Sequence, residues 1–407
     1  MTDLALINAN VLDVEAGTII GERTVYIRDG KVEEVSADRP RESTQRIDLK
    51  GLTLMPGLCD GHVHVTAATA DFGLLSAWSP AYVTARAGGI LHNMLMRGFT
   101  TVRDAGGADH GLAQAVNEGY LSGPRILFAG KALSQTGGHG DMRGAGQNTF
   151  ESCFCCAGLG RICDGISEVR RAARDELRKG ATQIKIMGSG GVSSPTDRID
   201  STQFSVEELQ AIVEEAEAAN VYAMAHAYTA RAIERLLQCG VRTIEHGNLL
   251  EESTCDAFLR HEAFLVPTLS TYHAIANEGV QAGMPEAMQR SVFEVLDAGT
   301  RALELAYRAG VTMVYGTDLL GDMHRHQLNE MSLRGEVISN ADVIRSATCN
   351  AARAFQRDGE FGVIKPGARA DLLAVAGDPL DDLQVLQSPD TNLKLIVKEG
   401  AIYKNEL

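Results

Sequence analysis

The sequence predicts an α/β protein: a (β/α)8 barrel of the TIM type with a small β-sandwich domain formed from both termini. Three observations point there. The chain has 407 residues, too many for one small domain and enough for a barrel with an appendage. Its two ends are rich in strand signals. Its middle alternates eight apolar strand segments with amphipathic helical stretches, the pattern of a parallel sheet. The expected division is 1–57 together with 358–407 for the small domain, and 58–357 for the barrel.

At the N-terminal end, Leu4 to Ile7, Thr24 to Ile27 and Lys31 to Val35 are short apolar runs, and Asp29-Gly30 is a turn signal between two of them. The C-terminal end repeats the pattern with Asp371 to Val375, Leu393 to Val397 and the turn Glu399-Gly400. The expected barrel strands are Leu54 to His64, Thr100 to Asp104, Arg125 to Ala129, Gln183 to Met187, Val221 to His226, Thr243 to Gly247, Phe264 to Leu269 and Thr312 to Asp318. Among the helices, one is expected from Glu168 to Lys179, with Ser167 as N-cap and Gly180 just past its end. Another begins at Ser205, where Ser205 and Glu208 have capping-box spacing.

Composition narrows the function. Hydrophobic residues make up 44%, and 42 glycines stand against 10 prolines, which suits a large core with many tight turns. The net charge of −15 argues against nucleic-acid partners and against docking on anionic lipid. No run of 18 apolar residues is present, so no membrane span is expected. Met1-Thr2-Asp3-Leu4 does not open a signal peptide, so the expected location is cytoplasmic and the eight cysteines are expected as thiols.

Catalytic residues on parallel barrels sit at the C-terminal ends of strands, and the reactive side chains fall there. His62 and His64 end the first strand two residues apart, so both imidazoles share one side and can reach one metal. Lys185 lies in the apolar run Gln183 to Met187. One reading is an amine extended to the barrel mouth. The other is a carbamate: burial favours the neutral amine, which adds CO2 to become an anionic oxygen donor. His226 and His246 end two successive strands, and Asp318 ends the eighth, where a carboxylate can ligate metal and exchange a proton with water.

The run Met55-Pro56-Gly57-Leu58-Cys59-Asp60-Gly61-His62-Val63-His64 resembles the signature of the amidohydrolase superfamily, and Val363 to Leu372 resembles that family's return to its small β domain. The resemblance extends over essentially the whole chain. It implies two divalent metal ions: His62, His64 and Asp318 on one, His226 and His246 on the other, carboxylated Lys185 bridging. Zinc suits so many imidazoles, and manganese or cobalt would also bind. Mononuclear relatives lack the lysine. The implied reaction is hydrolysis by a metal-bridging hydroxide, with Asp318 moving the proton to the leaving nitrogen.

Ser134 to Asp141, Lys185 to Ser194 and His226 to Arg231 resemble the dipeptidase branch, which includes prolidases and carboxypeptidases acting on Xaa-Arg or Xaa-Lys. A small-molecule substrate is implied, a dipeptide or N-acyl amino acid, with Xaa-Pro favoured. The alternatives are an Xaa-Arg/Lys carboxypeptidase, for which Asp141, Asp197 and Asp322 could supply acidity, or a lactonase or cyclic amide hydrolase. His139 is expected to donate to the oxyanion and bind substrate, and Tyr228, on the rim, to bind a carboxylate. Arg198, Arg325 and His326 are further carboxylate partners, or solvated loop charges. Cys153, Cys155, Cys156 and Cys163 have partial metal spacing and are expected as free thiols. Family barrels often associate, so a homo-oligomer is expected.

Overall fold

The computed structural model describes residues 4–38, 45–148 and 155–407. The first strands are β1 (Leu4–Asp13), β2 (Thr18–Arg28), β3 (Lys31–Ser36), β4 (Gln45–Asp48) and β5 (Thr53–Pro56). Through the middle run β6 (Leu58–Val63), β7 (Phe99–Asp104), β8 (Arg125–Phe128), β9 (Ala132–Ser134), β10 (Gly160–Ile162), β11 (Gln183–Met187), β12 (Tyr222–Thr229), β13 (Thr243–Leu249) and β14 (Phe264–Val266). The last are β15 (Leu372–Val375), β16 (Leu393–Lys398) and β17 (Ala401–Asn405).

Strands from both ends form one eight-stranded sheet, ordered β17-β16-β15-β5-β1-β2-β3 with β4 also on β1. The ends meet where β5 and β15 run antiparallel, Met55 opposite Leu373. All eight strands are joined along one hydrogen-bonded path. Register shifts after Leu6 and after Asn10 interrupt β1, and such bulges bend a strand. Its first half therefore pairs with β4 and its second with β5. Leu6, Val25, Leu54, Leu372 and Leu395 share a core of their own here. Both expected hairpin turns are made by left-handed pairs, Asp29-Gly30 at φ 49° and 75° and Glu399-Gly400 at φ 50° and 77°.

The middle strands are parallel and alternate with helices, but they fall into two sheets, β10-β9-β11-β12-β13-β14 and β6-β7-β8. One closed eight-stranded ladder is not formed. Thr312 to Asp318, expected as the eighth strand, makes one bridge, Met313 with Leu265. Its backbone groups are spent elsewhere: Tyr315 N–H donates to Ser346 (2.9 Å), and the Val314 carbonyl accepts from the buried Arg334 (3.0 Å). The segment still lies between β14 and β6. Val314 N–H donates to Leu265 (2.9 Å), Gly61 N–H to Tyr315 (2.7 Å) and Asp318 N–H to His62 (2.8 Å). Across the other seam, Thr182 N–H donates to Phe128 (2.9 Å).

Two further boundaries differ from expectation. Leu54 to His64 is two strands, divided between sheets at Gly57, whose N–H donates to Asp371 (2.8 Å). A Cβ on Gly57 would lie 2.1 Å from Thr100 Oγ1, so only glycine lets the crossing chain pass. The helix expected from Glu168 spans Ile166–Arg178, with Gly165 at φ 81° as N-cap and Ser167 inside the first turn. The left-handed glycine admits the chain to the helix earlier than a serine cap would. The Ser205 capping box is present as expected. Among the described residues, no helix is long and apolar enough to cross a membrane.

Candidate metal centre and active site

One cavity of about 260 Å³ opens at the C-terminal ends of the parallel strands, and His62, His64, His139, Lys185, His226, Tyr228, His246 and Asp318 all line it. The structure thus brings together the six expected metal ligands with His139 and Tyr228. Its walls include Phe72, Leu159, Ile162, Val192, Ile275 and Leu320.

Alternation explains most of these positions. Lys185 and Met187 share a face of β11, and His226 and Tyr228 share a face of β12. His246 is the exception. His226 lies level with Glu245, and Ala227 level with His246. Strict alternation would point Glu245 inward and His246 outward. The left-handed backbone at His246, φ 76°, breaks the alternation, so His246 lines the cavity while Glu245 stands behind it on His62. Asp318 is also left-handed, at φ 52°. Non-glycine residues resist this region, and such strain is held where packing over-determines it.

Each histidine is anchored by one ring nitrogen. His62 Nδ1 meets Glu245 Oε2 (2.8 Å), His64 Nδ1 the Gly106 carbonyl (2.7 Å), His246 Nδ1 the Thr268 hydroxyl (2.8 Å) and His226 Nε2 the Gly190 carbonyl (3.0 Å). That leaves the other nitrogen of each ring for a ligand, the arrangement of metal-binding imidazoles. His62 Nε2 and His64 Nε2 stand 3.5 and 3.3 Å from Asp318 Oδ1. Donor atoms of His62, His246 and Asp318 lie within 4.8 Å of one another. This donor set fits divalent metal.

Electrostatics agree. Burial would raise the Asp318 carboxyl, but the His62 and His64 imidazoles outweigh it and hold it at about 2. Burial pushes the His226 and His246 imidazoles well below their ordinary value, so both are neutral donors. Burial also brings the Lys185 ammonium down to about 8. Lys185 is 1% exposed and has no hydrogen-bond partner among the described residues. A buried amine without a partner and close to neutrality has the character a carbamate requires.

His139 lies face to face with His226, ring centroids 4.2 Å apart. Its Nδ1 is 2.8 Å from Ser194 Oγ and 3.6 Å from Asp197. Burial would raise the Asp197 carboxyl, and His139 holds it down. Tyr228 is corrected in one respect. It is 2% exposed rather than on the rim, because Tyr272 packs over it and donates to its hydroxyl (3.1 Å). Asp141 reaches the cavity already paired with Arg143 (2.8 and 2.6 Å). Arg198 pairs with Asp200, and Arg325 and His326 pair with Glu278, all away from the cavity. Asp322 is exposed. Cys153 lies outside the described residues. Among the described residues Cys59, Cys156, Cys163, Cys239, Cys255 and Cys349 are free thiols, and Cys155, Cys156 and Cys163 join no group with metal-ligand spacing.

Sequence reasoning missed the charges behind the site. Arg103 and Glu245 are fully buried, with Arg103 Nη2 at 3.0 Å from Glu245 Oε1. Arg103 also donates to Gly61 O (2.7 Å) and Thr243 Oγ1 (2.9 Å). Asp104 accepts from the backbone N–H groups of Val65, Gly106 and Ala108 (2.8, 2.9 and 3.1 Å) and shapes the turn behind His64. Asp60 holds Thr317 next to Asp318 (2.6 Å). Arg103, Asp104 and Glu245 are each a charge inside an apolar strand, the same signal that marked Lys185.

A model of the amidohydrolase family matches residues 53–402. Ochratoxinase from Aspergillus niger is 32% identical over 381 residues, covering 90% of this chain and 78% of that protein. A prolidase solved in complex with N-methylphosphonate-L-proline is 48% identical, with a TM-score of 0.97 over 99% of this chain and 100% of that one. An Xaa-Pro dipeptidase with methionine bound in its active site is 27% identical, with a TM-score of 0.90 over 99% and 100% of the two chains.

Proposed function

This chain belongs to the amidohydrolase family, and from that premise we propose that it hydrolyses the amide bond of a dipeptide or N-acyl amino acid, with Xaa-Pro favoured. It is a metal-dependent enzyme acting on carbon–nitrogen bonds. The observation that carries the reading is the convergence of four imidazoles, Lys185 and Asp318 on one cavity. The likeness to a prolidase bound to a proline phosphonate supports the substrate class. We read the two parallel sheets and segment 312–318 as the wall of one (β/α)8 barrel, residues 58–357, with 1–57 and 358–407 as the small β domain. The backbone bonds across both seams support that reading.

His62, His64 and Asp318 would hold one divalent metal, and His226 and His246 a second. Lys185 would bridge them as a carbamate, formed when its neutral amine adds CO2 and loses a proton. Zinc suits these donors. When bound, the pair polarises the scissile carbonyl and lets water ionise near neutral pH. Asp318, held as carboxylate, takes the proton from the attacking water and gives it to the leaving nitrogen. His139, with Asp197 beside it, donates to the oxyanion. Tyr228 donates to the substrate carboxylate.

The test is a dipeptide and N-acyl amino acid library at neutral pH, with lactones alongside. Turnover confined to substrates with a free carboxylate next to the scissile amide is expected. Lactone turnover alone would overturn the substrate class. Elemental analysis should find about two metals per chain; one would refute the binuclear centre. Lys185→Ala should abolish turnover, with partial rescue by short carboxylic acids.

A further inference from the structure

Behind the cavity, a line of hydroxyls connects His246 to Tyr228. His246 Nδ1 is 2.8 Å from Thr268 Oγ1. The Thr268 side chain works against the effect of burial on the Tyr272 hydroxyl, favouring its ionised form as a neighbouring donor does, and Tyr272 donates to the Tyr228 hydroxyl at 3.1 Å. Thr268 is fully buried, Tyr272 is 1% exposed and Tyr228 2%. Both tyrosine rings line the cavity, and the Tyr228 ring lies nearly parallel to His246, centroids 5.4 Å apart. Among the described residues, no side chain accepts the Tyr228 proton.

The chemistry of these groups sets one direction for the whole line. If His246 offers Nε2 to a ligand, Nδ1 carries the proton and donates to Thr268. Each hydroxyl has one proton to give. Thr268, having accepted, gives its proton to Tyr272, and Tyr272 gives its own to Tyr228. The Tyr228 oxygen is then occupied as an acceptor, and its proton is left for the cavity. A hydroxyl held this way is a prepared donor, and a chain of aligned donors strengthens the last one. Its best match is an acceptor that carries charge.

We propose that Tyr272 and Thr268 are positioning residues that orient the Tyr228 hydroxyl as a donor, and that this relay selects substrates with a free carboxylate. The inference rests on the proposed function, because it takes Tyr228 as the carboxylate contact. Tyr272 and Thr268 touch no reacting atom. Their effect is on recognition, and it ties the tautomer of His246 to the polarity of the substrate pocket.

The test uses the metal-loaded full-length protein and two probes, L-proline and L-prolinamide. Tyr272→Phe removes the hydroxyl and keeps the ring, so packing is nearly preserved. L-proline binding, followed by calorimetry, should weaken by about three- to tenfold, while L-prolinamide binding changes less than twofold. KM for a cleaved dipeptide should rise by the same factor as the loss of L-proline binding, with kcat little changed. Thr268→Val, which keeps the shape and cuts the relay one link earlier, should reproduce the split. Equal losses for proline and prolinamide, or a fall in kcat with unchanged KM, would overturn the relay. So would wild-type affinity for L-proline in both variants. If the wild-type protein cleaves no dipeptide and binds no L-proline, the proposed function falls instead.

Discussion

Removing the guanidinium of Arg103 tests the buried frame behind the metal centre. Arg103 and Glu245 are both wholly inaccessible, and Arg103 Nη2 contacts both carboxylate oxygens, at 3.0 and 3.2 Å. Burial pushes the Glu245 carboxyl up, and Arg103 is the largest influence opposing it. Arg103→Met keeps most of the side-chain length and leaves Glu245 with the Thr243 hydroxyl (2.6 Å) and His62 Nδ1 (2.8 Å). Breaking a buried pair from one side costs about 3–5 kcal/mol, because the remaining charge is uncompensated. Arg103→Met with Glu245→Met removes both charges and should recover most of that loss. Metal binding should behave differently. Glu245 orients His62, and loss of such a partner lowers metal affinity by about 10–100-fold. The double variant should therefore be restored in stability and still deficient in metal. Denaturant unfolding of the metal-free proteins gives the first quantity and elemental analysis the second. A single variant within about 1 kcal/mol of wild type would refute the argument that the pair carries charge in the native state. A double variant as unstable as the single one would assign the loss to packing.

Two other perturbations follow from the geometry. A Cβ on Gly191 would lie 2.2 Å from His139 Cε1, so Gly191→Ala should displace that ring and lower kcat by about 100-fold, as loss of an oxyanion donor does; near-normal kcat with an intact fold would remove His139 from the mechanism. In the metal-free cavity, burial works to lower the His64 imidazole, but the Asp318 carboxylate prevails and its pKa is raised. The stability this pair confers is thus present below the ordinary histidine value and lost as pH rises through the folded one. Metal must displace that proton, so metal affinity should increase from pH 6 to pH 8 in competition with a chelator; a flat profile would show that His64 is not a ligand.

Much of the site was legible because the reactive types stand at predictable places. His62 and His64 end a strand two apart, and Lys185, His226 and Asp318 end or interrupt apolar runs. Arg103 and Glu245 carried the same mark and were not recognised. A single buried charge says that a partner exists, without saying which, and this partner lies 142 residues away in the chain. The burial of Tyr228 depended on Tyr272 from another element, which no local pattern around Tyr228 announces.

Residue chemistry and periodicity, both local, were enough to point to an α/β chain with parallel strands, strand-rich termini and a donor set suited to divalent metal. Three features required the folded chain. β1 bends and serves two partners, β4 along its first half and β5 along its second. Segment 312–318 gives its backbone bonds to Ser346 and Arg334, so two sheets meet at a seam instead of a ladder. His246 turns inward only through a left-handed backbone, φ 76°. Each of these is set by groups distant in sequence, whose packing outweighs the local preference for a regular strand.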